Sequence, residues 1–91
     1  MPGDLVIKSR FLRREGIEVE VTPEGNAYVI VPTPLGVVYR IPVEEQTALD
    51  RLEVQMTPAA KRLLERAVQK VKELVRAGRL PASSRTALRL G

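Results

Sequence analysis

The segment IEVEVTPEGNAYVIV, residues 17–31, decides the fold, because apolar residues alternate on both sides of a turn. Apolar and acidic residues alternate through Ile17–Val21, and a second β-prone run follows at Ala27–Val31. Such alternation is typical of strands that bury one face. The Pro-Glu-Gly-Asn sequence between the two runs favours a tight turn. Residues 17–31 therefore predict an antiparallel β-hairpin.

The same rhythm extends in both directions from this hairpin. Further β-prone stretches lie at Leu5–Phe11 and Val37–Ile41. Glycine-containing turn signals separate the four stretches, and they predict loops at 12–16, 22–26 and 32–36. We therefore predict a four-stranded antiparallel β-meander.

Loops of this length fix the register. The predicted cross-strand neighbours are Phe11 and Ile17, Val21 and Ala27, and Val31 and Val37. The predicted apolar face collects Ile7, Phe11, Ile17, Val19, Val21, Ala27, Val29, Val31, Val37, Tyr39 and Ile41. The predicted opposite face collects Lys8, Arg10, Glu18, Glu20, Tyr28, Ile30, Val38 and Arg40. On that face Arg10 lies opposite Glu18 and Lys8 opposite Glu20, and opposite charges in such pairs stabilise a sheet.

A long helix is predicted in the second half of the chain. Thr57 is a good capping residue and Pro58 suits the first helical position. The helix should run to about Ala77 and stop at Gly78. Its apolar residues share one side, which would pack on the apolar sheet face. The predicted class is α+β, a four-stranded antiparallel meander packed against one long C-terminal amphipathic helix.

Two segments have weaker patterns. Residues 43–49 favour a short helical turn, and the alternation at 51–56 leaves room for a fifth short strand. Residues 81–91 contain arginine but no acid, and they predict a basic C-terminal tail, mobile unless it packs on another surface. We therefore predict one α+β domain at 1–80 and a tail at 81–91.

The composition argues against catalysis. The chain has no Cys and no His, which excludes disulfides, zinc fingers, thiolate nucleophiles and imidazole bases. Its glycines are scattered turn glycines rather than a clustered phosphate-binding loop. We expect a binding protein that is not an enzyme, with no cofactor and no bound metal.

Residue usage also suggests a setting for the protein. Eleven of the fifteen basic residues are Arg, which suits a protein from a hot environment and equally a GC-rich genome. No apolar run is long enough to span a membrane. The first residues do not form a secretory signal. We expect a cytoplasmic protein from a thermophile.

Charge is distributed unevenly along the chain. The formal net charge is +4, with +3 in residues 1–14, −6 in residues 15–55 and +7 in residues 56–91. Basic clusters on one surface are typical of proteins that bind phosphates in DNA or RNA. The predicted nucleic-acid-binding residues are Arg62, Arg66, Lys70, Arg76, Arg79, Arg85 and Arg89. The alternative is a solvated helix face with local ion pairs.

A second candidate site lies on the outer sheet face. The predicted register places Tyr28 opposite Arg40, with Ile30 and Val38 beside them. This half-apolar patch could hold a base or a partner side chain, or it could be covered by a second subunit or by residues 43–56. Two functions follow: a homodimeric nucleic-acid-associated or regulatory protein, and a protein–protein interaction module or small subunit of a complex.

Overall fold

A computed structural model describes residues 5–45, 47–52 and 54–88 of the chain. In chain order the elements are β1 (Val6–Ile7), α1 (Ser9–Glu15), β2 (Ile17–Val21), β3 (Ala27–Pro32), β4 (Val38–Pro42), a 3₁₀ helix (Leu49–Arg51), β5 (Gln55–Met56), α2 (Pro58–Arg76) and β6 (Arg85–Leu88). The predicted α+β class, with a four-stranded antiparallel sheet and a long helix, is confirmed.

The four sheet strands lie in the order β4-β3-β2-β6, and every neighbouring pair is antiparallel. The predicted first strand, Leu5–Phe11, is wrong: within it only Val6–Ile7 forms a strand, and it pairs in parallel with β5. The chain then enters α1, which buries Leu12 against the core with Phe11 beside it. Consecutive residues of a strand point to opposite faces, so a helical turn is needed to bring both to the core.

The edge that this segment leaves open on β2 is filled by β6. Ala87 pairs with Glu18, and the N–H of Val21 donates to the C=O of Ser84 at 2.9 Å. Residues 85–88, expected in a mobile tail, therefore form an edge strand of the sheet. The charge pairs predicted for the first strand, Arg10 with Glu18 and Lys8 with Glu20, are also wrong, because neither basic residue lies in the sheet.

Both sheet hairpins use the same turn. Segments 22–26 (TPEGN) and 33–37 (TPLGV) each close with a hydrogen bond from the threonine N–H to the C=O four residues later, at 2.8 and 2.9 Å. The glycine in each turn has a φ of +88° or +85°, which favours glycine because it has no Cβ. The turn motif therefore determines where each hairpin folds back.

The first hairpin has the predicted register, with Val21 opposite Ala27. The second is shifted by two residues, so that Val31 lies opposite Tyr39 rather than Val37. The turn motif begins at Thr33, one residue later than the predicted loop. A shift of two residues keeps each side chain on its face, and the predicted faces of β2, β3 and β4 therefore hold.

Helix α2 has the predicted ends. Thr57 Oγ1 accepts a hydrogen bond from the N–H of Ala60 at 3.2 Å, and Pro58 is the first helical residue. At the other end Gly78 has a φ of +69°, and the N–H of Arg79 donates to the C=O of Leu74 at 2.9 Å. These two caps satisfy backbone groups that a helix end leaves without partners.

The core lies between the inner sheet face and the two helices. From α2 it receives five buried residues, Ala60, Leu63, Leu64, Ala67 and Val71. The sheet contributes Ile17, Val19, Val21, Ala27, Val29, Val31 and Ile41, all predicted for this face. Val37, also predicted for it, is 49% exposed because it lies at the hairpin turn.

Residues 43–56 connect the sheet to α2. Turns are formed by Val43, Glu44, Thr47 and Ala48, followed by the 3₁₀ helix and then by β5. The short strand expected at 51–56 is therefore present at its C-terminal end. It pairs with β1, away from the four-stranded sheet.

Candidate functional site

Helix α2 presents a basic stripe, formed by Arg62, Arg66 and Lys70. The three side chains are exposed, and their spacing of four residues aligns them along one side of the helix. At a rise of about 1.5 Å per residue, neighbouring positions lie about 6 Å apart along the axis. No ion pair within residues 5–45, 47–52 and 54–88 involves any of the three.

Helix α1 adds a second group of cations. Arg10, Arg13 and Arg14 are exposed on it, and Lys8 is its N-cap residue. Arg14 lies 3.6 Å from Glu15 in an exposed ion pair. Sequence reasoning missed this cluster, because it assigned Arg10 to the sheet and the two following arginines to a turn.

The two helices lie on the same side of the sheet. Both bury residues in the single core, and α1 packs against α2. The β4 side of α2 borders a groove lined by Val68 and Lys72, among other residues. Arg62, Arg66 and Lys70 do not line this groove, and at 100° per residue they lie on the other flank of the buried side of α2. The cations of both helices thus lie on the same side of the sheet, and this side is called here the helical face.

The charge of the two helices and of the N-cap residue Lys8 is strongly one-sided. Lys8, α1 and α2 together contain ten basic and three acidic residues, an excess of seven positive charges. The whole chain carries only +4, so the remaining residues are net negative. Such a concentration of one sign raises the local potential and attracts anions.

The outer sheet face is close to neutral. Arg40 stacks on Tyr28 with its guanidinium carbon 4.0 Å from the ring centroid. Its Nε donates to Glu20 Oε1 at 3.1 Å, and Arg85 forms an ion pair with Glu18. Each cation on this face is thus paired with a carboxylate of β2. Arg85 reaches it from the adjacent strand, and Arg40 reaches it across β3.

The four residues of the predicted outer-face patch share one face of the sheet, but their cross-strand partners differ from the prediction. Tyr28 lies opposite Pro42, and Arg40 lies opposite Ile30. Ile30 is only 6% exposed although it lies outside the core cluster, whereas Val38 is 58% exposed. The exposed apolar part of the patch is therefore Val38 and the adjacent hairpin turn.

The predicted nucleic-acid-binding residues do not form one surface. Arg76 is the last residue of α2 and Arg79 follows its cap. Arg85 lies on the outer sheet face, on the opposite side of the sheet from the stripe. Arg89 lies outside the described residues. The structure places Arg62, Arg66 and Lys70 on the same side of the sheet as α1, and Arg85 on the opposite side.

Lys61 connects the first turn of α2 to the preceding 3₁₀ helix through a hydrogen bond. Its Nζ donates to Asp50 Oδ1 at 2.9 Å. The hydrogen bond and the charge of Asp50 raise the pKa of Lys61 above its ordinary value of 10.5. This exposed lysine is consequently engaged with its own chain.

Neither a metal-binding cluster nor a membrane-spanning helix occurs within the described residues, 5–45, 47–52 and 54–88. They contain no group of three or more His, Cys, Asp or Glu residues placed to hold a metal ion. They also contain no helix long and apolar enough to cross a membrane.

Comparison of the chain with known protein families, with curated proteins and with solved structures finds no match. The chemistry of its surfaces is therefore the basis for a function.

Proposed function

We propose that this protein is a non-enzymatic nucleic-acid-binding protein that holds DNA or RNA phosphates against its helical face. The observation that carries the proposal is the excess of seven positive charges on Lys8, α1 and α2. Cations placed against phosphates release condensed counterions, and this release supplies most of the affinity of binding without sequence preference.

The proposed phosphate-binding surface differs from the one expected from sequence. Helix α2 still belongs to it, but its other basic residues come from α1 instead of the C-terminal tail. Arg85 is paired with Glu18 on the other side of the sheet, so it belongs to a different surface. Arg62, Arg66 and Lys70 are the residues that we expect to contact phosphates, together with Arg13 and Arg14, which are exposed on α1 on the same side of the sheet.

Two variants with equal net charge test the surface. The first replaces Arg62, Arg66 and Lys70 with Gln. The matched control replaces three basic residues elsewhere, Arg40, Arg51 and Arg85, with Gln. Each removes three positive charges, so non-specific effects of net charge are the same in both.

The measurement is the dissociation constant for short DNA and RNA oligonucleotides over a series of salt concentrations. The logarithm of the association constant should fall linearly with the logarithm of salt concentration. With duplex DNA, each lost phosphate contact lowers the slope by about 0.9, so the stripe variant should lose up to about 3 units. The control variant should keep the wild-type slope.

Two results would overturn the proposal. One is the absence of detectable binding to any DNA or RNA at low salt. The other is an equal change of slope in the two variants, because the effect would then come from net charge rather than from the helical face.

The alternative function, a protein–protein interaction module, has a narrower basis. Cross-strand ion pairs cover much of the outer sheet face, and Ile30 is nearly buried. The surface left for a partner is the end of the β3–β4 hairpin, where Leu35 is 76% exposed. This alternative would be favoured if a single defined protein co-purified with the chain and bound it with an affinity that does not depend on salt concentration.

A further inference from the structure

Strand β4 forms one edge of the sheet and pairs only with β3 among the strands of the described chain. Its hydrogen bonds to β3 use alternate residues. The N–H of Thr33 donates to the C=O of Val37 at 2.9 Å, and the N–H of Val43 donates to the C=O of Ala27 at 3.1 Å. In an antiparallel ladder, the N–H and C=O groups of the intervening residues point away from the partner strand. Those of Val38 and Arg40 therefore point outward from the sheet.

The side chains on this edge give it little protection against pairing. Natural proteins protect edge strands with lysine, proline, bulges or a covering segment. Here Val37 and Val38 are 49% and 58% exposed, and the only charged side chain of β4, Arg40, is paired with Glu20 of its own sheet. Proline occurs only at the end of the strand, at Pro42.

We propose that β4 is a homodimer interface, at which it pairs antiparallel with β4 of a second copy of this chain. The two-fold axis passes beside Tyr39. Val38 then lies opposite the partner's Arg40, and each such pair exchanges two backbone hydrogen bonds, four in all. Val37 lies opposite the partner's Ile41, which would cover part of its exposed surface.

Neighbouring registers are less favourable. Centring the pair on Arg40 brings two guanidinium groups opposite each other, and it places Val38 against Pro42, which has no N–H to donate. Centring it on Val38 places Arg40 against Gly36, which lies in the hairpin turn. The register centred on Tyr39 alone uses the outward groups of both Val38 and Arg40 within the strands.

A second copy fits this edge better than a charged partner does. Arg40 and Glu20 neutralise each other, so the edge offers no net charge to an acidic or basic protein. Its hydrogen-bonding groups and valines are complementary to themselves under a two-fold rotation. The pair would form one continuous eight-stranded sheet with both helical faces on the same side. This inference does not depend on nucleic-acid binding.

Disulfide formation at single introduced cysteines tests the register. The native chain has no Cys, so any cross-link must come from the introduced residue. At Tyr39 the two Cα atoms would be about 4.5 Å apart, within the range that a disulfide spans. Under mild oxidation, Y39C should become a covalent dimer, whereas V38C, R40C and L35C should remain mostly monomeric chains on a non-reducing gel.

The mass of the native chain in solution tests the dimer without any cysteine. Light scattering should give twice the chain mass of 10.1 kDa for the wild type. V38K, which places a charge on the edge, should halve that mass, and L35K, at the adjacent exposed turn, should leave it unchanged. Circular dichroism of each variant checks that it is folded.

Three results would overturn the proposal. They are a wild-type mass of one chain at every concentration tested, a V38K variant that is folded and still dimeric, and loss of the dimer in L35K. A cross-link at V38C or R40C instead of Y39C would overturn the register. Loss of DNA or RNA binding affects none of these outcomes.

Discussion

The strand formed by residues 85–88 can be tested by two adjacent proline substitutions, Thr86→Pro and Ala87→Pro. Thr86 lies opposite Val19, and the bond between the Val21 N–H and the Ser84 C=O shows that odd-numbered residues of β2 face β6. The N–H of Thr86 therefore points to the C=O of Val19. The N–H of Ala87 points to the free edge of the sheet, where proline removes no ladder hydrogen bond.

The difference in stability follows from these directions. Thr86→Pro removes a hydrogen bond worth about 1 kcal/mol and leaves the carbonyl of buried Val19 without a partner, at a further cost of about 1–3 kcal/mol. The proline ring also crowds β2. We expect a loss of about 3 kcal/mol in the free energy of unfolding. For Ala87→Pro we expect a loss of about 1 kcal/mol or less, since Thr86 is already extended.

Urea denaturation followed by circular dichroism measures both variants against the wild type. A domain of this size has a total stability of about 5–15 kcal/mol, so a difference of about 2 kcal/mol between the variants is resolvable. If β6 were a mobile tail, neither substitution would change the unfolding midpoint. Equal losses from the two variants would also refute the reasoning, because the directions of the two N–H groups would then not matter.

Two further predictions concern the core face of α2 and the ion pair at its start. Leu64→Ala should lower the free energy of unfolding by about 3 kcal/mol because the side chain is fully buried. In the same urea experiment, Leu35→Ala in the exposed turn should change it by no more than about 0.5 kcal/mol. Asp50→Asn should lower the pKa of Lys61 toward its ordinary value of 10.5, as measured by NMR titration of the lysine Cε. In the wild type the Lys61 contribution to stability should be lost as the pH rises through the raised pKa of Lys61. An unchanged pKa in Asp50→Asn would mean that the 2.9 Å contact is not maintained in solution.

Patterns that repeat over a full strand or several helical turns could be predicted from the sequence. The alternation of Ile17–Val21 identified β2 and its faces, and Thr57 with Pro58 identified the start of α2. Both depend on neighbouring residues, so the chain itself carries the signal. The faces of β4 were also correct, although its register was shifted by two residues.

Short or long-range features could not be predicted in this way. Helix α1 has seven residues, about two turns, which is too few to distinguish its period from strand alternation. Strand β6 has one strongly apolar residue, Leu88, and its partner β2 is distant in sequence, with Arg85 and Glu18 separated by 67 positions. The basic cluster of α1 was missed because the helix is short. The position of Arg85 was missed because β6 pairs with a strand that is distant in sequence.

The folded chain rearranges the charges that the sequence distributes in blocks. Residues 15–55 carry −6, and an unpaired excess of this sign on the outer sheet face would repel nucleic acid. In the structure, however, Glu18 and Glu20 are paired with Arg85 and Arg40, so the acids of β2 are neutralised by two other strands. Pairing of this kind uses basic residues on the sheet and leaves those of α1 and α2 as the main charged surface. For the proposed binding, the relevant separation of charge is therefore between the two faces of the sheet. For this reason the two triple variants, equal in charge and located on different surfaces, separate the proposed function from a simple effect of net charge.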